Sequence, residues 1–203
     1  MEPKYVLMGG GGLALELYEY MQSEGTPPAG YYAPEEDTVL SGFLKWLGDE
    51  HKADVDPAVQ YIVASGILGI RNRIINFLES HHLTVGSFIS RYAYVSSLAK
   101  CGKGFVATPS STITGNPVIG DYVLCNGGSI GHDAHLGINV VVGPGARITG
   151  ACQIGDNVAF GANAALIPGT VIESSSEIGI LTFPRKKVKN GKVIVSVPGM
   201  AIQ

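Results

Sequence analysis

His132 and Asp133 stand side by side in the chain. An imidazole titrates near neutral pH and so suits the work of a general base, and a carboxylate beside it can orient the ring and stabilise the imidazolium that forms. Adjacent side chains on a strand point to opposite faces, so the two residues cooperate only if they occupy a bend. His135, three residues on, is the rival base, and a site using neither histidine is the third possibility. A second set of groups lies near the start. Tyr5-Val6-Leu7-Met8 reads as a short buried strand, Gly9-Gly10-Gly11-Gly12 as a turn, and Leu13, Leu17, Tyr20 and Met21 as the apolar face of a helix. Strand, glycine turn and helix open a nucleotide-binding βαβ unit, in which backbone N–H groups approach a phosphate or sugar at the helix N-terminus. Ala14 stands where a strict fingerprint has its third glycine, and a turn that only packs helix on sheet is the competing explanation. His51, His81 and His82 are expected on the surface. No Cys/His spacing fits a metal, so no metal cofactor is expected.

The elements that must position His132 announce themselves by period. Ile130, Leu136, Val142, Ile148, Ile154, Phe160, Leu166, Ile172 and Ile178 fall on every sixth residue, with glycine following at 131, 137, 143, 155, 161 and 179. A small residue sits four places after each apolar one, as at Ala134, Ala146, Cys152, Ala164 and Thr170. Neither a helix nor a flat strand has period six; a fixed short period marks a solenoid whose coils bury their apolar residues against one another. This is the hexapeptide pattern of a left-handed parallel β-helix, three hexapeptides to a triangular coil. Cys101, Ala107, Ile113, Ile119 and Cys125 carry the same period upstream, but Cys125 to Ile130 is a step of five. The coil from Ile119 to Leu136 is therefore one residue short, just before His132.

The chain has 203 residues, 15% charged, with a net charge of −3 and a mean hydropathy of +0.22. No apolar stretch approaches the length of a membrane span. The apolar content fits a solenoid core plus an oligomer interface. No basic block marks a nucleic-acid binder. The start at Met1-Glu2 does not resemble a secretion signal, and the cysteines read as buried thiols of a reducing compartment, so a cytoplasmic location is expected.

Residues 1–86 read as a small α/β Rossmann-like unit and residues 87–203 as the β-helix with a C-terminal basic hairpin or tail around Arg185–Lys192. Tyr31 to Thr38 reads as loop, Val39 to Trp46 as containing a strand, Tyr61–Ala64 as a buried parallel strand, Leu68 to Ser80 as a helix, and Thr84 to Tyr94 as a last strand and crossover, with the solenoid starting near Val95. Val195 to Ile202 closes the chain.

These parts together resemble bacterial sugar acyltransferases of the sialic acid O-acetyltransferase and nucleotide-amino-sugar N-acetyltransferase type. The likeness is carried by Gly9-Gly10-Gly11-Gly12, Gly42-Phe43-Leu44, Val63-Ala64-Ser65-Gly66 with Ile70-Arg71, Ile119-Gly120-Asp121, Asn126, His132-Asp133 and Val197-Pro198-Gly199. The resemblance implies a nucleotide-sugar-binding domain before the β-helix, a homotrimer, and acetyl-CoA in the groove between adjacent β-helices. It makes His132 the base and Asp133 its partner. It places Gly10, Gly12, Gly66 and Asn126 at the acceptor, and Gly150, Ala162, Gly179 and Ile180 along the acetyl-CoA groove, with Gly150 N–H a candidate oxyanion donor. Lys186 and Lys187 would meet the adenosine 3′-phosphate, unless that lysine run is a solvated turn.

The expected activity is acetyl-CoA-dependent N-acetylation of a nucleotide-linked amino sugar in glycan or surface-polysaccharide biosynthesis, by direct transfer. O-acetylation of a sialic-acid-type sugar and a non-catalytic trimeric scaffold are the alternatives. A β-helix carbonic anhydrase needs three metal-binding histidines, and only His132 and His135 lie in the repeat. Three departures from the family pattern stand out. Lys45 and Trp46 replace acidic residues expected after Gly42-Phe43-Leu44, Val141 replaces a second histidine nine residues after His132, and the short coil reshapes the acceptor pocket.

Overall fold

The computed structural model describes residues 4–52, 55–184 and 186–195. The chain opens with β1 (Tyr5–Met8), α1 (Gly12–Ser23), β2 (Tyr31–Tyr32), β3 (Trp46–Gly48), β4 (Gln60–Val63) and α2 (Leu68–Ser80). The four strands form one parallel sheet in the order β3-β2-β1-β4. Its central strand β1 is an unbroken apolar run because helices and solenoid cover both faces; Leu7 and Met8 are fully buried. Helix α1 buries Ala14, Leu17 and Met21 and stops where Gly25 takes a left-handed φ of 83°, a conformation glycine adopts without steric cost. The expected helix over Leu68–Ser80 and the parallel strand at Tyr61 are both present.

Two expectations in this region are corrected. Tyr31 to Thr38 is not all loop: Tyr31 and Tyr32 are β2, held by Leu7 N–H to the Gly30 carbonyl (3.0 Å) and Gly9 N–H to the Tyr32 carbonyl (2.9 Å). Two residues are too few to carry a readable alternation. The strand expected within Val39–Trp46 begins only at Trp46, because residues 38–44 turn around hydrogen bonds to the Asp37 and Leu40 carbonyls.

From Phe88 onward the chain is a parallel β-solenoid of two-residue strands stacked into three faces. The first face carries Phe88, Val106, Leu124, Val141, Ala159, Glu177 and Val193 in register. The second carries Tyr94, Thr112, Ser129 and Arg147, extended by a bridge to Ala165. The third carries Lys100, Val118, His135, Gln153, Val171 and Lys187. All nine members of the period-six series are buried, together with the small residues four places on. Register partners stand three full hexapeptides apart, as His135 and Gln153 do. In the middle of the solenoid Val118 with His135, Leu124 with Val141 and Thr112 with Ser129 are each one residue closer in the chain. The missing residue is at the corner Asn126-Gly127-Gly128, which turns in three residues where its neighbours Thr108–Ser111 and Gly143–Ala146 use four.

The solenoid is longer at both ends than the sequence suggests. Phe88–Ile89, expected within a crossover, already pairs with Val106–Ala107. The basic segment at the other end is neither hairpin nor tail: Lys187–Val188 and Val193–Ile194 pair in parallel with Val171–Ile172 and Glu177–Ile178 as one more coil. That coil, from Val171 to its partner Lys187, is two residues short of three hexapeptides and so breaks the period. Val188 and Ile194 nevertheless keep the spacing of six, and Val188 is 4% exposed. Arg185 and the segments Val197-Pro198-Gly199 and Val195 to Ile202 lie outside the described residues, apart from Val195 itself. Cys125 and Cys152 are buried, but Cys101 is exposed because its strand is the outermost of the third face.

The N-terminal sheet and α1 share one apolar cluster with Val106, Leu124 and Val141 of the first face. Fully burying a side chain such as Leu124, 1% exposed, contributes roughly 1.5–3 kcal/mol. Polar ties flank this seam. Glu24 accepts from Ser90 Oγ (2.6 Å) and Arg91 N–H (2.9 Å); Glu79 pairs with Lys103 (2.6 Å) and accepts from the Tyr122 hydroxyl.

Candidate active site

His132 and Asp133 occupy the bend that their cooperation requires. They form the corner between the second and third faces, and Asp133 has a φ of 57°. A left-handed residue recurs at the corners, at Tyr122, Asn139, Asn157 and Ser175 among others, and Asp tolerates that region better than most residues. The reversal brings Asp133 Oδ2 within 2.8 Å of His132 Nδ1. Hydrogen bonds from His132 first, and then from Asn116, hold the Asp133 carboxyl below the usual carboxylate range. An ionised carboxylate only accepts, so Nδ1 is the donor in this pair, and in the neutral ring Nε2 is the nitrogen with the free lone pair.

Nε2 lies over Gly150. A Cβ on that residue would sit 2.5 Å from His132 Nε2 and Cε1, and one on Gly115 would sit 2.6 Å from His132 Cβ. The imidazole therefore has its place only because both neighbouring coils carry glycine there. The N–H of Gly150 makes no hydrogen bond among the described residues. Equivalent corner positions hold Pro109, Pro144 and Pro168, which have no N–H, so the coil does not need this donor and at Gly150 it is free for a ligand. Asn116, which the sequence did not single out, fixes the pair from the preceding coil: its Nδ2 donates to Asp133 Oδ1 (2.9 Å) and its Oδ1 accepts from Asp133 N–H (3.1 Å).

His135 projects from the third face. Its Nδ1 is 3.2 Å from both Gln153 Nε2 and the Asp133 carbonyl, and among the described residues no carboxylate pairs with it. Of the two histidines, His132 alone has the geometry of a poised base.

The remaining expected groove residues divide between two corners. Gly150 and Lys186 follow His132 along its own corner, with Gly169, not among the expected residues, between them: Ala151 N–H bonds the His132 carbonyl (2.8 Å), Gly169 N–H bonds the Gly150 carbonyl (2.9 Å), and Lys186 reaches over Gly169. Lys187 instead points from the third face and pairs with Glu173 (3.4 Å). Asn126, Ala162, Gly179 and Ile180 line the other edge of the second face. There Leu181 N–H bonds the Ala162 carbonyl (2.9 Å), Thr108 Oγ1 donates to Asn126 Oδ1 (2.8 Å), and Ile180 is 63% exposed. One protomer thus does not bring Gly150 and Ala162 into one groove. Val141 is on the first face, 7% exposed beneath the N-terminal unit, so a side chain there does not face His132.

Gly10, Gly12 and Gly66 line a separate cavity of about 760 Å³ at the carboxyl ends of the N-terminal strands. This is where open parallel sheets bind ligands, at the strand where the order reverses, here β1. An added Cβ on Gly12 or Gly66 meets nothing within 4 Å, so both backbones open onto the cavity, whereas one on Gly10 would meet Asp37 Oδ2 at 2.5 Å. Sequence reasoning missed most of the polar lining: Glu35, Asp37, Asp49, Glu50 and Arg73, with His51 at the exposed rim. The carboxylates not found at Lys45 and Trp46 enter from Asp49 and Glu50, while Trp46 Nε1 donates to the Ala33 carbonyl (3.1 Å). Hydrogen bonds from Lys52 and His51 N–H hold the Asp49 carboxyl low. Among the described residues no group of three or more His, Cys, Asp or Glu could hold a metal, and no helix is long and apolar enough to cross a membrane.

No family model and no curated protein matches the chain. Solved structures do. The acetyltransferase domain of PglB from Neisseria gonorrhoeae FA1090, in complex with acetyl coenzyme A, superposes with a TM-score of 0.86 at 23% identity over 95% of this chain and 96% of that one. PerB from Caulobacter crescentus, in complex with CoA and GDP-perosamine, gives 0.79 at 23% identity over 98% and 96%. WeeI from Acinetobacter baumannii AYE gives 0.83 at 19% identity over 96% and 97%. Across both halves of the chain, the fold is that of these proteins.

Proposed function

We propose that the protein is an acetyl-CoA-dependent N-acetyltransferase of a nucleotide-linked amino sugar in bacterial glycan biosynthesis. The observation that carries this reading is the His132–Asp133 pair, with Nε2 unblocked over the unused N–H of Gly150. Likeness in fold to a protein solved with acetyl coenzyme A, and to one solved with CoA and GDP-perosamine, supports it. In this reading residues 1–86 are a Rossmann-like acceptor-binding domain and the solenoid from residue 87 is a left-handed β-helix.

The acceptor amine attacks the thioester carbonyl, and His132 Nε2 takes the proton it sheds. Gly150 N–H stabilises the oxyanion. Collapse of the tetrahedral intermediate expels the CoA thiolate, which receives the proton from the imidazolium. Asp133 stabilises that imidazolium and remains ionised throughout. Asn126, at the short corner, contacts the acceptor.

Three copies complete the site. His132 and Asp133 have side chains 68% and 57% exposed, too wet for an efficient acyl transfer, and Ala162, Gly179 and Ile180 stand on the opposite edge of the second face. In a cyclic trimer the His132 edge of one protomer faces the Ala162 edge of the next, which encloses the acetyl-CoA groove and covers exposed apolar residues such as Ile180 and Leu181. Light scattering tests the assembly, and acid-quenched turnover with acetyl-CoA and a panel of nucleotide-linked amino sugars tests the chemistry. Three chains and an acetylated sugar with no acetyl-enzyme are expected. A monomer at micromolar concentration, or no binding of any acyl-CoA, contradicts the reading.

A further inference from the structure

Most of the seam between the N-terminal unit and the solenoid is apolar, but Arg71 crosses it with a charge. This residue of α2 is 1% exposed and has no carboxylate partner among the described residues. Burial pushes its guanidinium down to about 10. Its three nitrogens donate in three directions: Nε to Asn139 Oδ1 (2.7 Å), Nη1 to the Ser65 carbonyl (2.8 Å) and Nη2 to the Tyr122 carbonyl. Asn139, 1% exposed at a left-handed corner, spends its amide on Asn72 (2.9 Å) and Asn157 (3.0 Å).

Two features set this contact apart from a simple clamp. A seam held only for stability is served as well by apolar residues, since a buried charge carries a desolvation cost that such packing avoids. Apolar contact is also non-directional, whereas the planar fork of an arginine fixes angles. One arm of that fork holds Ser65, whose Oγ in turn accepts from Ile67 N–H (3.2 Å), and Ser65, Gly66 and Ile67 form one wall of the cavity. The other two arms hold consecutive coils of the solenoid through Tyr122 and Asn139.

We propose that Arg71 is a positioning residue: it sets the angle and distance between the Ser65–Ile67 wall and the solenoid, and so decides where an acceptor held in the cavity places its reacting amine. The proposal rests on the transferase reading for its kinetic consequence, but not for its structural one. Arg71→Lys keeps the charge and loses the fork; Asn139→Ser removes one acceptor and serves if the lysine variant does not fold. Each is compared with wild type in two ways. With both ligands saturating, the variants bind acetyl-CoA and nucleotide sugar within about 3-fold of wild type but transfer at least about 30-fold more slowly, as expected for a misplaced reactant. Separately, spin labels on Lys45→Cys and Glu177→Cys, in a Cys101→Ser background diluted with unlabelled protein, report the distance between unit and solenoid. The distribution broadens in the variants. Transfer within about 3-fold of wild type together with an unchanged distribution overturns the proposal, because a merely structural tie leaves both unmoved. A wild-type protein that transfers nothing ends the transferase reading, and the label distances still decide the role of Arg71.

Discussion

The His132 corner and the N-terminal cavity are built on opposite plans. The corner is local: His132 and Asp133 are consecutive, and Gly115, Asn116 and Gly150 are each one coil away in a repeat of nearly fixed length. The cavity is assembled from the ends of four strands, so that Gly12, Asp37, Glu50 and Arg73 meet although most of the N-terminal unit lies between the first and the last. The corner is exposed and held by a few directed contacts; the cavity is concave and rests on two apolar clusters. Under the proposed reading, chemistry on the repeat and recognition at the sheet edge can then change independently, provided that something fixes one against the other.

Four substitutions test that separation. Gly66→Trp, placed where an added side chain meets only the cavity, should weaken nucleotide-sugar binding at least about 100-fold and leave acetyl-CoA affinity unchanged, measured by calorimetry. Parallel loss of both ligands would show one shared site. Gly150→Ala should cost about 100-fold in kcat with both affinities retained, because its Cβ displaces the imidazole; a rate near wild type would remove His132 from its place over this residue. Asn116→Ala should cost only about 10-fold, since Asp133 still reaches Nδ1 and loses just one of its restraints. The seam itself is probed through Glu79, whose carboxyl Lys103 and Tyr122 hold below its usual value. A lowered carboxylate contributes stability above its unfolded pKa and loses it as pH falls through the folded one. Glu79→Gln should therefore melt a little below wild type at neutral pH and coincide with it in strong acid. A gap that persists in acid would mean packing rather than charge.

The two plans also explain what the sequence reveals. The corner is legible because the place of His132-Asp133 in the hexapeptide marks a bend, whereas the glycines at 115 and 150 that make room for the ring are not part of the repeating glycine series. Asn116 is not, because it lies a whole coil before His132, and that coil is itself one residue short. The last coil is hidden for a related reason: it too falls short of three hexapeptides, and lysines occupy places that read as solvated. In the N-terminal unit the glycine turn and both helices are plain, while β2 is too short to show alternation. The carboxylates of the cavity cannot be found by motif, since Asp49 and Glu50 come from a turn whose only mark is its place after β3.

The most direct test of the account is His132→Ala, titrated with acetyl-CoA and then with a nucleotide-linked amino sugar, beside a single-turnover assay on the same samples. The account predicts both affinities within a few-fold of wild type and a transfer rate lower by about 10³, the range of a lost general base. Near-normal transfer by a folded His132→Ala protein would contradict it.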